Sequence, residues 1–240
     1  MEDKSHSTIN PPILYWGTPV AVISSRNEDG TDNLAPNSSV FWLGHRCIVG
    51  FSAVSKTPAN IRRTRQCVVN LADASMVSHI NGLALTTGSD PVPEGKQKLS
   101  KGYHFVKDKW SVAGLTPQPS TSVTPARVRE CPVQMECELA MVHPMMQDNA
   151  NGFSGRLIAI ELRVLKVHVF DSIRMEGHPN RIDPDKWQPL IMSFQHFYGL
   201  SGQKVAPSKL AGIDEEQYRP LADADVESAD TERIDASQCD

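Results

Sequence analysis

The sequence predicts a mainly β fold, an antiparallel barrel or sandwich with short helical insertions. Three observations predict it. Stretches of β-branched and apolar residues outnumber helical patterns, and the late stretches alternate apolar and polar residues with period 2. No strand–helix–strand alternation appears, which disfavours a doubly wound dinucleotide fold. At 240 residues the chain is long enough to bury a core without staples.

Residues 18–25 form the first apolar, β-branched run and are read as a strand. A turn cluster with Asp29-Gly30 at its centre follows. A second extended stretch runs over 34–42 and is interrupted at Pro36, which cannot donate to a ladder and so implies an edge, bulge or strand end. A third strand covers 47–52. Residues 57–64 read as a short helix, with Thr57 as its N-cap and Pro58 at the first helical position. Residues 66–71 are another strand, 73–84 a helix capped by Asp73 or Ser75, and 91–102 a short lysine-rich surface helix. A Ser/Thr/Pro loop over 116–125 precedes half-buried strands at 126–130 and 133–139. A longer alternation over 156–170 contains one slip, the mark of a bulge. The aromatic and Met-rich stretch 187–199 is expected to pack over an open end of the sheet.

Charge is unevenly spread. The net charge of −4 divides into −8 over residues 211–240, with ten acidic and two basic residues, and +4 over the remainder. This gives a domain over 1–210 and an acidic, mobile tail over 211–240 that solvates rather than binds. The balance excludes a protein that holds nucleic acid by bulk electrostatics. No signal peptide and no apolar run of membrane-spanning length is visible, so a cytoplasmic protein without a membrane partner is expected. The five cysteines form no C-x-x-C pair and are read as buried thiols; no metal site is expected.

Rossmann, P-loop, nucleophile-elbow and H-E-x-x-H signatures are all missing. Chemistry concentrates instead between Asn33 and Asn60. Small hydroxyl and amide side chains appear there twice, as Asn33-Leu34-Ala35-Pro36-Asn37-Ser38-Ser39 and as Ser52-Ala53-Val54-Ser55-Lys56-Thr57-Pro58-Ala59-Asn60. The second run ends in a helix start, whose free N–H groups and partial positive charge suit a phosphate, with Lys56 adding a full cation. The first run offers little bulk and free backbone groups, suited to edging a flat polar ring. Taken singly, each run also fits an edge strand or a plain helix cap.

Together with Val68-Val69-Asn70-Leu71, these runs resemble the flavin reductase-like family, whose fold is the FMN-binding split β-barrel, over roughly residues 12–205. The resemblance implies that Ala35, Pro36, Asn37, Ser38 and Ser39 run along the isoalloxazine. It implies that Ser52, Ser55, Lys56, Thr57 and Asn60 surround the ribityl chain and phosphate. It further implies a homodimer with flavin near the interface, FMN as cofactor and NAD(P)H as possible co-substrate. Short flavin reductases of the family commonly carry a His just before the long late strand; here that place reads Asn151-Gly152-Phe153-Ser154-Gly155. An FMN-dependent enzyme acting on an organic substrate, or a non-catalytic FMN-binding electron carrier, stands beside the reductase. For the former, His196 and Tyr198 are the candidate proton donors.

Overall fold

The structure, a computed structural model, describes residues 5–149, 151–202 and 204–221. In chain order its elements begin with β1 (Trp16–Pro19), β2 (Ala21–Arg26), β3 (Asp32–Asn37), β4 (Val40–Leu43), β5 (Arg46–Ser52), α1 (Lys56–Thr64) and β6 (Gln66–Leu71). An insertion follows, carrying α2 (Val77–Leu83), β7 (Thr86–Thr87), α3 (Glu94–Leu99), β8 (His104–Phe105), α4 (Lys109–Ala113), β9 (Pro117–Gln118) and β10 (Arg127–Val128). Two long strands, β11 (Val133–Pro144) and β12 (Leu157–Val169), and a small hairpin, β13 (Ile191–Ser193) and β14 (His196–Tyr198), complete the first unit of the chain.

Seven strands form one sheet in the order β3-β2-β6-β11-β12-β5-β4, with every neighbouring pair antiparallel. Its two edge strands are joined by only Ser38 and Ser39. At that corner the Gly50 amide donates to the Ser39 carbonyl (2.8 Å) and Asn37 Nδ2 donates to the Gly50 carbonyl (2.8 Å). The sheet therefore curls back on itself, as a split barrel does. Ile23, Val49, Val69, Cys137, Ile160 and Leu162 fill its interior. The outer face of β2 is buried as well: Val20 and Val22 pack with Leu34 under Ile80, Leu83 and Ala113 of α2 and α4. Burial on both faces is why β2 reads as a continuous apolar run rather than an alternation.

Several boundaries differ from expectation. The run over 18–25 breaks at Val20, because β1 leaves the barrel to pair with β13 in a separate three-stranded sheet, β1-β13-β14. The helix at 57–64 is capped two residues earlier than expected: Ser55, not Thr57, is the N-cap, and Lys56, not Pro58, is the first helical residue. The strand expected over 126–130 shrinks to Arg127–Val128, paired with β9 inside the supposed loop. The helix over 73–84 opens with a 3-10 turn, Ala74–Met76, capped by Asp73. The slip in β12 falls at Leu165, skipped where Glu136 pairs with Lys166 and Cys137 with Val164; a second, at Ala140 of β11, has no sequence signal. Cys47, Cys67, Cys131 and Cys137 are free and buried, and burial pushes the Cys47 thiol up to about 12.

The chain's second compact unit begins at Ala206. Within it a 3-10 turn, Lys209–Gly212, is capped by Ser208, whose Oγ accepts from the Leu210 amide (3.1 Å), and a second covers Glu215–Leu221. The expected boundary at 210–211 falls inside the first of these turns; the acidic stretch from 222 onward lies outside the described residues.

Candidate functional site

Two elements build the site, the edge strand β3 and the start of α1. Edge position suits Pro36, which sits opposite Val22 of β2 and has no N–H to leave unpaired. Ala35, Pro36, Asn37 and Ser38 are half-exposed along this edge, and Ser39 is exposed. Asn37 shapes the corner, its Oδ1 accepting from the Ser39 amide (2.7 Å).

Helix α1 starts at the far end of β3. Ser55 caps it in extended conformation (φ −77°, ψ 153°), yet its hydroxyl makes no capping bond. The Lys56 and Thr57 amides point out of the first turn, where no helix carbonyl reaches them, and Pro58 has none to offer. Thr57 is buried and its Oγ1 accepts from Asn33 Nδ2 (3.0 Å), which leaves its own proton to donate. Asn60 is fully buried. Its Nδ2 donates to Ser25 Oγ (3.2 Å) and Asn27 Oδ1 (2.8 Å), and its Oδ1 accepts from Arg63 (3.3 Å). Its polar atoms thus fasten α1 to the β2–β3 turn. Lys56 Nζ lies 2.6 Å from Glu28 Oε2, and this hydrogen bond holds the Glu28 carboxyl below its ordinary range. Ser52 closes β5 opposite Leu157, exposed, and its carbonyl accepts from the Ser55 amide (3.0 Å).

Both ends of β3 therefore carry a predicted cluster. Asn33 and Asn37 are four residues apart on the strand, a span of about 13 Å. His196 and Tyr198 lie elsewhere, exposed on β14 opposite Ser193 and Ile191. Beside them, Trp16 meets Phe194 edge to face, with ring centroids 4.7 Å apart. They share no hydrogen bond with the α1 cluster. His143 near the end of β11 instead approaches Glu161 (3.3 Å).

Residues not singled out from the sequence complete the site. A cleft of 270 Å³ opens at the α1 start, lined by Asn33, Lys56, Gly88, Phe105 and Lys107 among others. A Cβ at Gly88 would stand 2.4 Å from Asn33 Oδ1 and 3.1 Å from Lys56 Cγ, so only glycine fits there. Asn33 Oδ1 is itself buried with no hydrogen-bond partner, an acceptor lacking its donor. Behind β3, Lys109 of α4 is 2% exposed and donates to the Leu34 carbonyl (2.8 Å). Asn33 opened the first motif and was legible as part of it; Gly88, Phe105 and Lys109 sit in the insertion, which carries no motif. Among the described residues no group of three or more His, Cys, Asp or Glu gathers as a metal site, and no helix is long and apolar enough to cross a membrane.

A flavin phosphate fits these residues. Two free helix amides, an uncommitted Ser55 hydroxyl and Lys56 converge at one end of the half-exposed strand edge, and Asn33 offers an unpaired acceptor to a hydroxyl donor.

The family model described as flavin reductase like domain matches residues 15–201. The Bacillus subtilis (strain 168) protein YdfE is 35% identical over 204 residues, covering 85% of this chain and 93% of that protein. Among solved structures, flavoredoxin of Desulfovibrio vulgaris (Miyazaki F) is similar in fold with a TM-score of 0.67 at 17% identity, over 87% of this chain and 100% of that one. Nitrilotriacetate monooxygenase component B from Bacillus cereus follows at 0.65 and 21%, over 85% and 100%.

Proposed function

This chain belongs to the flavin reductase-like family, and from that premise we propose that it is an FMN-dependent oxidoreductase that takes hydride from NAD(P)H. One observation supports the reading above the others: the α1 start, with free amides, Ser55 and Lys56, faces the open edge of β3 at a spacing suited to an elongated phosphorylated ring system. Flavin supplies the hydride acceptance and the onward release of electrons, so the chain needs no acid–base triad. Lys56, Ser55, Thr57 and the helix amides hold the phosphate, with Lys56 exchanging exposed Glu28 for the stronger dianion. Ala35 to Ser39 and the exposed end of β5 at Ser52 border the ring and its polyol. Asn60 positions the Asn27 turn beneath them.

We further propose a homodimer. Phe41, Ile48 and Met141 form a row across β4, β5 and β11 on the outer face, interrupted by Glu161, and Leu43 beside it is 78% exposed. An apolar edge strand of this kind is ordinarily covered. Exposed Trp16, set edge to face on half-buried Phe194, and exposed Tyr198 favour a second reading, a pocket for an organic substrate beside β14, with His196 and Tyr198 as proton donors. Anaerobic mixing of flavin-loaded protein with NADH or NADPH separates the two. Bleaching of the flavin is the expected result. A flavin that stays oxidised with both nucleotides would remove the reductase role.

A further inference from the structure

Methionine gathers at a corner of the barrel that the proposed flavin site does not use. Along β11, Val133, Met135, Cys137 and Leu139 fill the interior, and strict alternation would send Met141 and His143 inward after them. The slip at Ala140 prevents this. Leu139 pairs with Leu162 and Met141 with Glu161, so Val142 takes the inner position while Met141 and His143 stand exposed on the outer face. Met145 continues the run, exposed, its amide donating to the Leu157 carbonyl (2.9 Å), and the chain turns off at Met146 in left-handed backbone (φ 60°). Neighbouring outward positions on such a strand are about 6.5 Å apart. Ladder pairing of β6 with β11 stops at Glu138, which leaves this stretch as a sheet edge, and the residue opposite His143 on β12 is small Ala159.

Met141, His143 and Met145 thus present two thioethers and an imidazole in the order Met-x-His-x-Met. A methionine side chain has three rotatable bonds and swings readily over a neighbour two residues away. The imidazole is set as metal-binding ones usually are. Its Nε2 lies 3.3 Å from Glu161 Oε2; a carboxylate only accepts, so Nε2 donates and Nδ1 keeps its lone pair. Arg46 Nε stands 3.8 Å from the other Glu161 oxygen, so the orienting carboxylate is itself held from a second side. Two sulfurs and one neutral nitrogen suit a soft cation and offer little to a hard one that needs oxygens.

We propose that Met141, His143 and Met145 bind one soft monovalent cation, Cu(I) or its analogue Ag(I), through the two Sδ atoms and Nδ1, with Glu161 positioning the imidazole. Met141 ends the row proposed as the dimer face; His143 and Met145 lie beyond it toward the β11–β12 connection. The full chain tests this, with Cys239→Ser in every protein to remove the thiol outside the described residues. Anaerobic competition against a Cu(I)–bicinchoninate complex reads the affinity, and Ag(I) added to protein with ¹³C-labelled methionine methyls reads the ligands. One equivalent of Cu(I) should leave the chelator. Of the eight methionines, Ag(I) should shift the methyls of Met141 and Met145, and Zn(II) should shift neither. Met141→Leu and Met145→Leu conserve volume at exposed positions and leave the metal-free fold unchanged. Each of them, and His143→Gln, should weaken Cu(I) uptake about tenfold or more. Glu161→Gln should weaken it about tenfold while the same two methyls still shift, as an orienting group requires. No transfer of Cu(I) from the chelator, uptake that the three ligand substitutions leave unchanged, equal shifts with Zn(II), or shifts centred on buried Met76 and Met135 would overturn the proposal.

Discussion

Lys109 shows what a single buried cation does to this barrel. Burial, with Lys96 nearby, lowers its pKa from 10.5 to about 7. The unfolded chain keeps that proton up to the ordinary lysine range, whereas the folded chain gives it up near neutrality. Stability therefore rises with pH between about 7 and about 10. Denaturant unfolding at pH 6, 8 and 9.5 should show this rise in the wild type and a flatter profile in Lys109→Met; parallel profiles would contradict it. None of this was legible beforehand, because Lys107-Asp108-Lys109 reads as solvated surface until the insertion folds it against Leu34. Lys56 was legible, since Pro58 and the hydroxyl run mark a helix start. The two-residue shift of the cap has a physical cause. Ser55 and Thr57 are both favoured cap types, serine the more so, and Thr57 is claimed by Asn33, twenty-four positions earlier in the chain.

At the scale of elements, the loop over 121–123 of the insertion is gathered on one barrel carboxylate. Glu136 on β11 is fully buried and accepts from the Thr121 amide (2.9 Å), the Thr121 hydroxyl (3.1 Å), the Val123 amide (3.2 Å) and His168 Nε2 (2.7 Å). Burial alone would raise its pKa; the amides of Thr121 and Ser122 and the His168 bond outweigh it and hold the carboxyl below its ordinary range. The stabilisation is therefore present above the unfolded carboxylate value and is lost as pH falls through the folded one. Glu136→Gln should cost about 2–4 kcal/mol at pH 7, measured by urea unfolding, and should make residues 116–125 the first site of limited proteolysis. A stability and cleavage pattern like the wild type's would show that the loop is held otherwise. Strands such as β6, which matches its expected span of 66–71, were readable as a short apolar, β-branched run. The β1-β13-β14 sheet was not, because its pairing joins the two ends of the domain. The β11–β12 slip was half visible, as a break in the period of one strand but not of its partner.

For the whole molecule, the family and barrel follow from three short motifs in register, while the quaternary state and the substrate side depend on surfaces without motifs. If the row of Phe41, Ile48 and Met141 is the dimer face, sedimentation should show a dimer for the wild type and a monomer for Phe41→Asp with Leu43→Asp. A monomeric wild type would remove the dimer. The proposed flavin site joins the α1 start to the edge of β3. Its most direct test is an equilibrium titration of FMN against wild type and Lys56→Ala, followed by flavin absorbance and fluorescence. The wild type should bind FMN, and the variant should lose about 1–3 kcal/mol, the scale of a charge-assisted hydrogen bond. Equal FMN affinity in the two proteins, or no uptake by either, would contradict it.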